Sequence, residues 1–461
     1  MTENKYIRIF DSLSGVEKRA CTKFLKSPYF NNRQDVLALW ESLLSAGAER
    51  SMEELHAGIY PKTRFSESKM RHLFSMLNAR IEAFLTQRAL EQLPLLHDLH
   101  LLPVLREKGL KKAAKSVGRR AEESLSQMPD SRDFHYWSYR LEWEKYAETQ
   151  GQTRTTENNL SSIGSALDTF YIIERLRLGC LIESHKAVFN VEYDSGPTPF
   201  LLDYIESSKI GSEPVVDLYF RCYKALAERG EEDFRLFRNA LEKQSGKMDF
   251  AESQTLLLLA VNFCIRQLNS GQGMYIREAF ELYRMGLETR TLLVGNTISR
   301  FAFKNIVALG LRLEKYDWVE QFILSKGELL EAGYQQAHIN YNLARLYFVR
   351  NQFELAMPLL ASVDEGDLLL NMDSRIMLLK MYYESGEWDA LDALISSFRV
   401  LLLRKKKVIG YHQSYYLKML KYIQKLVRLN KNDKIATTHL IGEIAGDAQI
   451  IEKDWLLKQL Q

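Results

Sequence analysis

His97-Asp98-Leu99-His100 places two histidines at i, i+3, a spacing from which imidazoles on a helix can share a metal. No third ligand stands nearby, so a surface or capping role is the simpler expectation and no metal site is assigned. Gly271-Gln-Gly273 lacks the third glycine and the preceding strand of a dinucleotide loop, and reads as a turn. The chain contains no Gly-x-Ser-x-Gly elbow and no His-Glu-x-x-His helix. Its cysteines, Cys21, Cys180, Cys222 and Cys264, form no Cys-x-x-Cys pair, and the last three lie 42 residues apart. That periodicity suits small apolar side chains at repeated helix contacts better than redox or metal chemistry. These residue types build no catalytic constellation, so the expectation is a protein without catalytic residues, cofactor or metal.

Charge offers more. The net charge is only +3, but it is unevenly spread. Residues 399–434 hold eleven Lys/Arg against one acid, Asp433. Within them Arg404, Lys405, Lys406 and Lys407 precede Lys418, Lys421, Lys425 and Arg428, which recur at helical steps among Tyr411, Tyr415, Tyr416 and Tyr422. Such a stripe either attracts phosphate and carboxylate groups or forms the solvated face of a helix. Residues 104–120 repeat the pattern over a shorter span, with seven Lys/Arg and one acid, Glu107. The aromatic run Phe134, Tyr136, Trp137, Tyr139, Trp143 and Tyr146 carries as many acids as bases. It is expected to be a packed core helix with hydroxyls at its rim.

Helices must position these groups. Nine prolines in 461 residues leave room for long helices, whose interiors proline breaks. Met70, Leu73, Phe74, Leu77, Ile81, Phe84 and Leu85 follow a 3.6-residue period. Ser14-x-x-Glu17 and Ser51-x-x-Glu54 have the form of capping boxes. No convincing strand pattern or Asn-Gly hairpin is found, so the predicted class is all-α. No apolar run reaches the ~20 residues of a membrane span, and no secretory leader is recognised, so a cytoplasmic protein with reduced thiols and no membrane partner is expected. Pro94 and Pro103 are expected to close an N-terminal helical domain (1–92). A helical linker or divergent repeats (93–200) and a repeat array with terminal capping helices (201–461) would follow. Pro358 should kink or shorten its helix.

The array is inferred from internal repetition. LGLRLEKYDWVEQFI, ARLYFVRNQFELAMPLL and KMYYESGEWDALDALI share one layout, with aromatic–acid pairs at Tyr316-Asp317, Phe353-Glu354 and Trp388-Asp389. A helix-turn-helix unit with this period resembles tetratricopeptide repeats, with Ala344, Tyr347, Phe353 and Ala356 at its small and aromatic positions. The other copies match less well, which makes the predicted α-solenoid degenerate. The stretches 23–36, 105–113, 167–180, 262–283 and 305–323 also resemble an all-helical protein family of the Bacteroidota, a likeness that implies helical architecture and no activity.

The tetratricopeptide resemblance implies a concave groove. In its register Lys304, Tyr341, Arg345, Lys380 and Tyr383 face the wall, with Asn305 and Asn342 beside them. Lysine or arginine with asparagine suits carboxylates through charge-assisted hydrogen bonds. Met377 stands where a further polar anchor would complete the family's carboxylate clamp. The expected function is a non-enzymatic scaffold or adaptor holding an acidic peptide or protein segment. The alternative is a nucleic-acid-binding regulator using the stripe at 399–434 or the basic helices at 62–80. Residues 51–85 faintly resemble half of a bacterial winged-helix activator, which would put Lys62, Arg64, Lys69, Arg71 and Arg80 against phosphates. The chain after Leu85 has no pattern for a wing.

Overall fold

A computed structural model describes residues 7–46, 51–149, 158–189, 191–194, 196–228, 230–244, 246–361, 367–405, 409, 412–430, 433–447 and 450–461. The chain is 80% helical, and the all-α expectation is met. Among the described residues the strands are two short ones, Leu293–Val294 and Thr297–Ile298, paired antiparallel around Gly295-Asn296. Gly295 takes φ +63°, which the tight turn requires, and Arg290 donates to the Asn296 side chain at 2.6 Å. This Gly-Asn hairpin was not expected from the sequence because each strand is too short to show alternation.

The chain forms two compact units, Met1–Glu174 and Arg175–Gln461. The division falls inside the helix Leu160–Phe189, so the region expected as 93–200 is shared between them. In the first unit both predicted capping boxes form. Glu17 and Glu54 each accept the backbone N–H of the N-cap serine at 2.8 Å, while the serine hydroxyls accept the reciprocal amides. The helix Glu67–Glu91 buries the apolar stripe from Met70 to Phe84 against Leu39, Trp40 and Leu43 of Gln34–Ala46. Pro94 opens a new helix at its first position, where no amide is lost. Pro103 does not end it: Pro94–Glu107 continues through that residue, so Gln92-Leu93 is a break between two helices of the same unit. That helix packs with Lys111–Ser126 and Arg132–Thr149 around Leu99, Val117 and Leu141. The aromatic run on Arg132–Thr149 differs from its expected core role. Phe134, Tyr136, Trp137, Tyr139 and Tyr146 are half-buried and Trp143 is exposed; Leu141 is the residue this helix encloses.

The second unit is a succession of helix hairpins. Pro214–Glu228 pairs with Glu231–Gln244, and Phe250–Asn269 with Tyr275–Glu288. Arg300–Arg312 then pairs with Tyr316–Lys326, Gln335–Val349 with Phe353–Ala361, and Leu368–Ser385 with Trp388–Arg404. The aromatics of all three predicted aromatic–acid pairs are the first residues of second helices. The turns before them share one backbone device. Glu314, Asn351 and Gly386 take φ of +58°, +57° and +73°, and the next amide reaches back five residues. Those bonds are Lys315 N–H to Gly310 O at 3.0 Å, Gln352 to Tyr347 at 2.8 Å and Glu387 to Tyr382 at 2.9 Å. This closure satisfies carbonyls left open at the helix end. Gly271 (φ +89°) and the Gln272-to-Gln267 bond at 3.0 Å extend the device to the preceding hairpin. Gly109 and the Leu110-to-Leu105 bond at 2.9 Å repeat it in the first unit.

Small residues let these hairpins close. Ala344 and Ala356 are fully buried between paired helices. At Gly310 a Cβ would lie 2.5 Å from a Val319 methyl, so only glycine fits the crossing. Cys180 on Leu160–Phe189, and Cys222 and Cys264 on the first helices of two successive hairpins, have no exposure. Pro358 lies inside the helix Phe353–Ala361.

Candidate functional site

The helices Arg300–Arg312, Gln335–Val349 and Leu368–Ser385 pack in series. They wall a groove of about 620 Å³ that Phe250–Asn269 and Glu452 complete. Five of the seven residues predicted for a groove line it: Lys304, Asn305, Tyr341, Arg345 and Lys380. The other two turn inward. Asn342 is fully buried, and its amide donates to His338 O one turn earlier in its own helix at 2.8 Å. Tyr383 is enclosed between Trp388 and Trp455, with ring centres 5.7 and 5.6 Å away. Asn342 lies about 100° around its helix from Tyr341, far enough to pass from groove to core, whereas Tyr383 lies only about 60° from Lys380 and is covered by the two tryptophans.

The wall's cations differ in how they are occupied. Lys304 pairs with Asp373 and Lys380 with Glu452, each through a short contact. Glu452 arrives from the chain's last helical segment, held by its own left-handed backbone (φ +57°). Trp455, three residues on, anchors it, meeting Tyr383 edge-to-face and donating to Glu384 at 2.6 Å. Arg345 and Arg312 have no carboxylate partner among the described residues. Arg345 lies 5.8 Å over the Tyr341 ring and reaches Lys304 O at 3.4 Å. Arg312 is exposed at the groove's edge. Lys304 also stands 5.6 Å over Tyr341. Burial holds the Tyr341 phenol well above its usual value, so it stays neutral beside these cations. Asn305 donates to the Tyr283 hydroxyl at 3.1 Å. Apolar side chains, Ile265, Leu268, Phe348, Val349, Ile376 and Met377, complete the walls.

Register reasoning missed Arg312, Asp373 and Glu452. Arg312 was within reach of the sequence, since it lies eight residues beyond Lys304 and shares its face. Glu452 carried no local signal, because it meets Lys380 across 72 residues.

Behind the groove, His338 is buried 3.4 Å from Asp367, which also pairs with Arg300 at 3.2 Å. Burial lowers the imidazole's pKa more than that carboxylate raises it. Among the described residues no group of three His, Cys, Asp or Glu could hold a metal. His97 instead lies 3.2 Å from Asp98, which Arg120 grips with both nitrogens of its fork.

The basic patch divides. On His412–Arg428, Lys418 meets Asp447 at 2.9 Å and Lys425 meets Glu443 at 2.5 Å. Lys421 and Arg428 are exposed, with no acidic partner among the described residues. Arg404 ends the preceding helix and Lys405 caps it; Lys406, Lys407 and Tyr411 lie outside the described residues. In the basic helices nearer the start, Lys69 sits 3.4 Å over the Tyr60 ring and Arg71 pairs with Glu67, while Lys62, Arg64 and Arg80 are exposed. Glu67–Glu91 runs unbroken through Leu85, where a wing would have to begin.

No protein-family model, curated protein or solved structure matches this chain. No helix among the described residues is long and apolar enough to cross a membrane.

Proposed function

We propose that the chain is a non-enzymatic adaptor of the cytoplasm. Its second unit is a degenerate tetratricopeptide-like solenoid that holds an acidic peptide or protein segment in the groove between its first helices. The observation carrying this reading is the groove's occupancy: two of its four cations hold carboxylates of the chain itself, and two, Arg312 and Arg345, remain without one. A wall that already gathers Asp373 and Glu452 is chemically suited to a ligand's Asp or Glu. The apolar residues beside it would take the ligand's larger side chains, and aromatic and arginine contacts are the ones that dominate such interfaces. The common turn device and the aromatic starts of second helices support the repeat reading.

The test is fluorescence anisotropy with a labelled peptide of alternating glutamate and phenylalanine. Reversing the two open cations, Arg312→Glu with Arg345→Glu, should weaken binding by about tenfold or more and leave thermal unfolding close to wild type. Lys304 and Lys380 are poorer targets, since their reversal would set like charges against Asp373 and Glu452. Retention of a single-stranded oligonucleotide in place of the peptide, lost steeply with salt, would transfer the function to the exposed cations of the basic helices.

A further inference from the structure

The first unit contains a cavity that the adaptor reading does not use. It measures about 290 Å³ and lies among Pro94–Glu107, Lys111–Ser126 and Arg132–Thr149. Leu102, Ala114 and Leu141, all buried, supply its apolar lining. Gly118 also lines it, and a Cβ there would meet nothing within 4 Å. Two of the surrounding cations are matched internally. Arg106 pairs with Glu144 at 2.8 Å, and Lys145 with Glu122 at 2.9 Å. The other three, Lys111, Lys115 and Arg119, recur every fourth residue on one helix face and are exposed. None of the three has an acidic partner among the described residues. On the far side of the same helix, Arg120 is already committed to Asp98.

We infer that this cavity binds a small amphipathic anion, an apolar ring or short acyl body bearing one phosphate or carboxylate. The apolar lining takes the body in the space that Gly118 leaves open, and Lys115 and Arg119, on either side of that glycine, take the charged head. An uncharged ligand would leave the cations unused, and the lining acids Glu122, Glu144 and Glu148 form no group that could hold a metal ion among the described residues. A protein segment needs a longer trough than a cavity of this volume. A nucleic acid would use the cations but not the enclosed lining.

The probes are 1-naphthyl phosphate, 1-naphthol and inorganic phosphate, titrated into the whole chain and followed by calorimetry. Naphthyl phosphate should bind with a dissociation constant of about 0.1–1 mM, as its size allows, and about tenfold tighter than either fragment. Gly118→Leu, which fills the open space and favours the helix, should abolish that binding without lowering the unfolding temperature. Lys115→Ala with Arg119→Ala should bring naphthyl phosphate down to the affinity of naphthol. The inference is overturned by any of three results: no saturable binding at millimolar probe, unchanged affinity in Gly118→Leu, or an oligonucleotide that displaces the probe at lower concentration than free naphthyl phosphate. Gly118→Leu and the Lys115→Ala with Arg119→Ala variant leave the groove of the second unit untouched, so binding they do not change belongs to that groove and not to this cavity.

Discussion

Lys111–Ser126 and His412–Arg428 are both conspicuously cationic in sequence, and the fold treats them differently. On His412–Arg428 two of the stripe's lysines are neutralised by Glu443 and Asp447, acids that follow 18 and 29 residues downstream. On Lys111–Ser126 one side is anchored through Arg120 to buried Asp98, and the opposite side stays open over a cavity. A run of cations becomes a recognition surface only where the fold brings no acid to it. That depends on the element packed alongside and cannot be read from the run.

The largest expected effect tests the anchored side. Asp98→Asn should cost about 2 kcal/mol in urea unfolding, because a buried charge-assisted fork loses its acceptor. The Arg120 hydrogen bonds hold the Asp98 carboxyl below the usual carboxylate range, against the upward push of burial. Its contribution is therefore complete above the unfolded value near ~4 and drains away as pH falls through the lowered folded value. The variant's stability should vary less with pH across the acid range; an unchanged acid profile would mean that the fork does not anchor the helix.

Next comes the contrast itself. Lys418→Glu with Lys425→Glu turns two half-exposed attractions into like-charge contacts and should cost about 1–2 kcal/mol. Lys111→Glu with Lys115→Glu should stay within about 0.5 kcal/mol of wild type. Equal losses in the two double variants, measured by denaturant midpoint, would erase the distinction between a neutralised stripe and an open one.

The smallest effect concerns the turns that orient the helices. Gly109, before the open cationic helix, and Glu314, in the second unit, make the same left-handed reversal. Glu314→Gly should gain about 0.5–1 kcal/mol and Gly109→Ala should lose a similar amount, by thermal unfolding. Changes of the same sign would show that the two reversals are not equivalent.

The helices, the capping boxes and the aromatic starts of second helices were legible because each depends on spacing within one or two turns, and the buried cysteine series because it recurs every 42 residues. So were five residues of the groove, since Lys304, Asn305, Tyr341, Arg345 and Lys380 needed only the repeat register. Asn342 was misplaced because one step around a helix exchanges wall for core, and Tyr383 because Trp455, 72 residues on, covers it. Glu314 was invisible as a reversal, since a glutamate gives no hint of positive φ. Asp373 and Glu452 were out of reach for a different reason, since they pair across 69 and 72 residues, distances over which sequence carries no pairing rule.

The enclosed cysteines offer a clock. Cys21 belongs to the first unit and Cys180, Cys222 and Cys264 to the second, all with burial that leaves the thiol no solvent and, at Cys21, Cys222 and Cys264, raises its pKa. An alkylating reagent can therefore modify them no faster than the surrounding helices part. Peptide mapping of the alkylated sites over time would time the opening of each unit within a single intact molecule.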